Sequence, residues 1–486
     1  MSAVAFEAPD RAGVLDAPAR GASLTFLRER GMGASVLVTA LSSGFGVALL
    51  ALATYVGFLA QEYMGYGGTV GVMVTVLTVL FIVIAMYVAA IVTANTFATI
   101  VAGRTRQIAL MRLIGSTARD ERRKVANQGL VVGVIGSVIG LVVGVAVAYA
   151  GPAIAESVLS APAYEDPVTL WMLLPIPAVI LTTWVAAWGG SRRVLSVTPN
   201  EALGGAVART HADQAGRRGR NGAAMTLGIL GILLLTAGLV LGLYTPLAVL
   251  IAFVGGLLSF TALVMASAAI MPPILRLVGR AFGGSATARM AAQNALRYPE
   301  RSSRMSIGVV VGVTLVVMLA VAAETFERIL LVGVPPDEAE ATGISGFIDM
   351  LSGVMMGLVG FAGVIAAVGL VNLLTIGVVQ RRAELGLLRA LGLSIGQIRR
   401  MVLLEAVHIT LSSTLLGLAL GVAYGWIGAQ STTGSVPEGG LLIAPAIPWI
   451  PVAIVVAAVA VLTIVASVAP TRLATRISPV EALAVE

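Results

Sequence analysis

Stretches of 18 or more apolar residues recur along the whole of this 486-residue chain. A run of that length crosses the ~30 Å hydrocarbon core of a bilayer as a helix, because every backbone N–H and C=O then finds its partner inside the segment. Such runs fall near 33–60, 68–103, 129–150, 169–189, 225–243, 247–271, 305–323, 346–379, 402–427 and 447–469. They describe an all-α integral membrane protein of about ten transmembrane helices. Only 11% of the residues are charged and the mean hydropathy is +0.97, where a soluble domain would carry about a quarter charged residues. The runs 68–103 and 346–379 exceed a bilayer. A helix over 68–103 would measure about 54 Å at 1.5 Å per residue, so both are expected to tilt or to project as stalks.

Charge sets the orientation. The basic residues stand in short clusters between apolar runs: Arg104 to Lys124, Arg192 to Arg220, Arg276 to Arg304, Arg381 to Arg400, and Arg472 with Arg476. With the arginines of the N-terminal segment, these put every Lys and Arg except Arg328 on one side. The other side carries Glu62, Glu156, Glu165, Asp166, Asp337, Glu338, Glu340 and Glu438. Positive charge marks the cytoplasmic face, so both termini are expected inside a bacterial cytoplasmic membrane. Residues 1–32 lack the apolar core and cleavage site of a signal peptide, and Ala22 to Met32 reads as a short surface helix. The pI of 10.1 follows from this topology and argues against nucleic acid as a partner. The chain has no Cys, which excludes disulfides, thiolate metal sites and cysteine nucleophiles.

The chain also repeats itself at an offset of 277. Asn95 falls on Asn372, Arg104 on Arg381, Arg112 on Arg389, Gly115 on Gly392, and Arg122-Arg123 on Arg399-Arg400. Gly140 and Gly144 fall on Gly417 and Gly421, within runs of small residues four apart that let helices approach closely in lipid. Thr198-Pro199 and Glu201-Ala202-Leu203 match Ser478-Pro479 and Glu481-Ala482-Leu483 after a three-residue slip. The organisation read from this is an N-terminal segment (1–32), a four-helix module (33–203), a linker with a two-helix insert (204–304) and a second four-helix module (305–486). The two modules face the same way, a parallel duplication. Residues 204–224 read as a flexible linker, and the insert as ending at Pro272-Pro273 before a basic segment, 276–304.

The segment Gln380 to Gly392 follows one long run and precedes another. Its Leu385, Leu388 and Leu391 recur near helical spacing, with Arg381, Arg382 and Glu384 before them and Arg389 among them. Gly392 is placed to break this helix and Ser394 to cap the next. A short amphipathic helix held between two spans is shaped to dock into a groove on a partner. The first copy supplies Arg104, Met111, Arg112 and Gly115 in the same places.

These residues, together with Gln397-Ile398, Glu405-Ala406 and Pro479-Val480-Glu481-Ala482-Leu483, resemble the FtsX-like permease domain of macrolide exporters of the MacB type, the lipoprotein-sorting LolC and LolE, the bacitracin-resistance protein BceB and the cell-division protein FtsX. The first copy is looser, with Gln107 where the second has Glu384. The 4+2+4 layout resembles the BceB-type chains in particular. The resemblance implies a type VII ABC transporter-like fold and a coupling helix that contacts a separate ATPase. One chain would then serve an ATPase dimer, with ATP and Mg on that partner and no cofactor here. The chain itself lacks the phosphate loop of an ATPase, since its one lysine, Lys124, has no glycine-rich turn before it. An enzymatic role is therefore not expected. The implied substrate is a lipid, lipopeptide or hydrophobic compound such as an antimicrobial. The alternative is an FtsX-like module that transmits a signal to an outer partner without transport. An ion-coupled secondary transporter would need mid-membrane carboxylates or broken helices that the runs do not show.

Two features depart from that family. The MacB-like outer domain is reduced to about Gln61–Gly67, and the BceB-like one to about Glu324–Ser345, neither long enough to fold alone. Within the runs the acidic, basic and histidine residues are Asp349, Glu405 and His408. Glu405 reads either as functional or as a structural ion pair with Arg399 or Arg400. His408 reads as a satisfied packing residue. Asn95 and Asn372 are expected to bond between helices, at the seam of the two copies.

Overall fold

The computed structural model describes residues 32–64, 110–111, 113–159, 162–164, 166–191, 211–281, 286–297, 299–332, 391–435 and 440–476, with isolated helical positions between Val76 and Ile91. Among the described residues every regular element is a helix. In chain order these are α1 (Met32–Met64), α2 (Ala118–Leu159), the 3-10 turn η1 (Leu170–Leu173), α3 (Pro175–Gly190), α4 (His211–Leu241), α5 (Ala248–Gly279), α6 (Ala286–Arg297), α7 (Pro299–Leu330), α8 (Ile395–Thr433) and α9 (Trp449–Arg476). Seven of them are long and apolar enough to cross a membrane, and α9 adds a shorter apolar stretch, Trp449–Val465. The expected spans 68–103 and 346–379 lie outside the described residues apart from those isolated positions.

The helices overrun the apolar windows, and three expectations change as a result. The helix α4 begins at His211, so 211–224 is helical and not a linker. Ala, Gln and Arg are good helix formers, and a helix nucleated in the apolar stretch propagates outward at little cost. Pro272-Pro273 does not end α5, which runs on to Gly279; proline is tolerated in spans where neighbouring helices satisfy the freed carbonyls. The basic segment beyond it folds as α6. Likewise α7 reaches Leu330, so Glu324 and Arg328 pair within its last turns, 3.6 Å apart.

Two bundles repeat one packing mode. In the first, Gly136, Gly140 and Gly144 of α2 lie against Thr39, Ser43 and Val47 of α1, so closely that a Cβ on Gly144 would stand 2.5 Å from Val47 Cβ. In the second, Gly417, Gly421 and Gly425 of α8 lie against Val313, Val317 and Val321 of α7, and a Cβ on Gly421 would stand 2.6 Å from Val317 Cβ. Glycine lets the backbones meet where lipid offers no hydrophobic drive to association. Buried hydroxyls bond to carbonyls one turn back, as Thr39 to Ser35 O at 2.9 Å and Thr463 to Val459 O at 2.7 Å.

The pairs Ser43–Gly140 and Val313–Gly417 show that α1 and α7 correspond at an offset of 270. At that offset Phe45 matches Leu315 and Leu49 matches Leu319. These four residues, all nearly inaccessible, form one cluster where the bundles meet. Equivalent residues meeting each other define a self-complementary seam, as across a two-fold axis. Exposed Tyr149, Trp171, Tyr244 and Trp449 mark the ends of the helices away from the basic clusters, the position of a membrane-interface aromatic belt.

The α4–α5 hairpin belongs with the second bundle. Gly231 and Gly255 close the hairpin, a Cβ on Gly231 falling 2.5 Å from Ser259 N. Ser303 of α7 donates to Ser267 O of α5 at 3.2 Å, and Gly242, just beyond α4, rests on Ser431 of α8.

Candidate docking junctions

The basic ends of α2 and α8 are entered in the same way. Before α2, Gly115 has φ +102°, a left-handed conformation that a side chain would strain. Ser116 N donates to Met111 O at 3.0 Å, the bond by which a helix terminates around a left-handed glycine. Thr117 then caps α2: Asp120 N donates to Thr117 Oγ1 at 3.1 Å, and the Thr117 hydroxyl donates to Asp120 Oδ2 at 2.6 Å. Before α8, Gly392 has φ +95°. Ser394 accepts from Gln397 N at 3.2 Å while Ser394 N donates to Gln397 Oε1 at 2.9 Å, a full capping box. Glycine, cap and third helical residue (115, 117, 120 and 392, 394, 397) all keep the offset of 277.

Each junction presents apolar surface on this rigid base. Ile114 is 79% exposed and its counterpart Leu391 is 70% exposed. Leu110, Met111 and Leu113 are also exposed at the first junction, and Ile395 at the second. Of the residues expected to form the docking face, Met111, Gly115, Leu391 and Gly392 come to these two sites. Arg104, Arg112, Arg381, Arg382, Glu384, Leu388 and Arg389, like Asn95 and Asn372, lie outside the described residues.

Behind the exposed surface the junctions diverge. At the first, Ser116 Oγ and Lys124 Nζ each donate to Glu121 Oε1 at 2.7 Å. Arg122 stacks 3.7 Å above the Trp188 ring and donates to Trp188 O at 3.2 Å, tying α2 to α3. At the second, α6 covers the start of α8: Ala291 packs with Ile398, Met401 and Val402, and Leu393 packs against that cluster. Asn294 Nδ2 donates to Glu405 Oε2 at 2.8 Å, giving Glu405 a neutral partner on α6. His408 Nε2 donates to Leu275 O at 2.7 Å, and its ring lies against Gly279. The histidine therefore locks α5 to α8. Nothing in the sequence reading singled out α6, although Ala291 and Ala295, one turn apart and both fully buried, carry a small-residue contact face.

Among the described residues no group of three or more His, Asp or Glu comes together that could hold a metal ion. What the junctions offer is paired apolar knobs on capped helix starts, which suits recognition of a protein surface.

Comparison with known proteins gives the same pairing. The family model for the FtsX-like permease C-terminal region matches residues 79–199 and 356–479, together just over half of the chain. The two matches begin 277 residues apart and end 280 apart, reproducing the repeat and its slip. A relative in Bacillus subtilis (strain 168), described as the uncharacterized ABC transporter permease YknZ, is 26% identical over 149 residues. That stretch is 31% of this chain and 35% of the relative, so the match spans about a third of either protein.

Proposed function

We propose that this chain, which belongs to the FtsX-like permease family, is the transmembrane subunit of an ATP-driven complex and docks a separate ABC ATPase at its two junctions. The observation that carries this reading is the matched pair Ile114 and Leu391. Each is largely exposed, each precedes a left-handed glycine, and each sits at the head of a capped spanning helix. An inner loop that only fixed topology would need arginines but not exposed aliphatic residues in register.

In this reading the chain is a multi-pass protein of the bacterial cytoplasmic membrane with its junctions and both termini inside. It is not itself an enzyme; ATP and Mg belong to two ATPase subunits per chain. Bound nucleotide draws the junctions together and the capped helices carry the motion across the bilayer. The load is a lipid, lipopeptide or other hydrophobic compound, antimicrobials among them, taken from the membrane. The related alternative is that the motion is passed to an outer partner with nothing transported.

Burying one aliphatic side chain of this size contributes about 1.5–3 kcal/mol, so Ile114→Glu or Leu391→Glu should weaken ATPase binding roughly 10- to 100-fold. Met111→Glu and Leu388→Glu should act in the same direction. Copurification of the ATPase with each variant checks this. Undiminished binding by Ile114→Glu and Leu391→Glu together would refute the docking reading.

A further inference from the structure

We propose that three consecutive residues of α5, Ser259, Phe260 and Thr261, form a node that couples the two docking junctions to each other through the membrane, an inference that rests on the docking reading above. The node joins a tyrosine from each copy of the repeat. Tyr424 of α8 meets Ser259 Oγ at 2.9 Å, and Tyr87 of the second apolar run meets Thr261 Oγ1 at 2.7 Å. Ser259 donates to Gly256 O at 3.0 Å and Thr261 to Leu257 O at 2.6 Å. Each hydroxyl has one proton, and within each tyrosine–hydroxyl pair either oxygen can be the donor. The phenol of Tyr87 also lies 3.2 Å from Leu257 O. Between them Phe260 stands edge-on to Tyr87 and tilted to Tyr424, with both ring centroids 6.3 Å away.

The chain path gives this contact its meaning. Tyr87 lies in the run that leads into the first docking segment, ending at Gly115. Tyr424 lies on the helix that leaves the second junction at Ser394. Both are about thirty residues from their junction along the chain. On the α8 side α5 is fixed along its length by His408, Ser303 and the core around Ile307 and Val311. On the Tyr87 side the described contacts are Tyr87 and Ile91 in that same core. A hydroxyl bond in an apolar surrounding is made or broken over a fraction of an ångström, which makes the Tyr87 contact a two-position element whose state both junctions bias. Such coupling is reciprocal: occupancy of one ATPase changes the work required to move the other.

The test uses the whole chain in lipid nanodiscs with the ATPase that copurifies with it. Binding stoichiometry and the ATP dependence of hydrolysis are measured on the same samples. Tyr87→Phe and Tyr424→Phe should each lower the Hill coefficient from about 2 toward 1 without changing the amount of ATPase bound. Thr261→Val removes the same contact from the α5 side and should reproduce the effect of Tyr87→Phe, which protects the test against a poorly folding tyrosine variant. Tyr149→Phe, at an exposed site away from the node, should change nothing. A Hill coefficient unaltered by Tyr87→Phe and Thr261→Val, or already near 1 in the unaltered complex, would overturn the node while leaving the docking reading in place. Failure of the unaltered chain to bind any ATPase would overturn both.

Discussion

The first junction is polar where the second is oily. At the offset of 277, Ser116, Glu121 and Lys124 correspond to Leu393, Ile398 and Met401. In the first copy the three are joined by hydrogen bonds; in the second Ile398 and Met401 are buried under α6, with Leu393 packed beside them. The backbone, the left-handed glycine and the cap are the same in both. The difference is one of cover. At the first junction the buried Glu121 carboxylate is satisfied by Ser116 and Lys124, while the helix start that carries α6 exchanges such polar groups for apolar contact. Duplication thus preserved the capped turn and released the surface behind it, and the second copy used that freedom to bind the insert.

The outer ends differ in the same sense. In the second copy the connection 440–448 is strapped down. Gln430, fully buried, donates through Nε2 to Leu441 O and accepts from Ile443 N at 3.2 Å; Trp426 Nε1 donates to Ile443 O at 2.7 Å; Ala446 N donates to Thr325 Oγ1 at 3.2 Å. The first-copy counterparts of Trp426 and Gln430 are Tyr149 and Ala153, both exposed.

Three tests sharpen this comparison. The largest effect is expected where the first copy packs tightest. A Cβ on Gly140 would press into Ala40 O and Gly44 N, which are backbone, whereas one on Gly417 meets the side chain of Val313 at 2.8 Å. Gly140→Ala should therefore cost about 3 kcal/mol and Gly417→Ala about 1 kcal/mol; denaturant unfolding in detergent measures both, and equal costs would break the distinction. Next, Gln430→Ala should cost about 2 kcal/mol, since it leaves strap groups unsatisfied. Amide exchange at Leu441 to Ile443 should speed up, and Ala153→Gln should do nothing comparable. The smallest effect belongs to Arg122→Ala, which removes an exposed stacking contact worth about 0.5–1 kcal/mol; a shift larger than that of Gln430→Ala would show that the α2–α3 tie matters more than its exposure indicates.

Much of this was legible beforehand, and the residues that were not have a common reason. Apolar runs marked the described spans because length and hydropathy are local properties. Gly392 and Ser394 announced a left-handed turn and a cap because only a few residue types serve those positions. The linker reading of 204–224 rests on Gly204-Gly205 and Arg217-Arg218-Gly219-Arg220, and over 211–224 the attached apolar helix extends through it. Pro272-Pro273 looked like a terminus because the rule for soluble helices was applied inside a membrane. The contacts Asn294–Glu405, Tyr87–Thr261 and Gln430–Leu441 join positions 111, 174 and 11 residues apart. No window along the sequence reveals which polar residue will find which partner.

The central claim is that two matched junctions in one chain each hold an ATPase. Native mass spectrometry of the complex, released from detergent, tests it most directly. The mass predicted is that of one copy of this chain with two ATPase subunits, falling to one ATPase subunit when Ile114→Glu is introduced alone. A stable complex of two copies of this chain with one ATPase pair would contradict it.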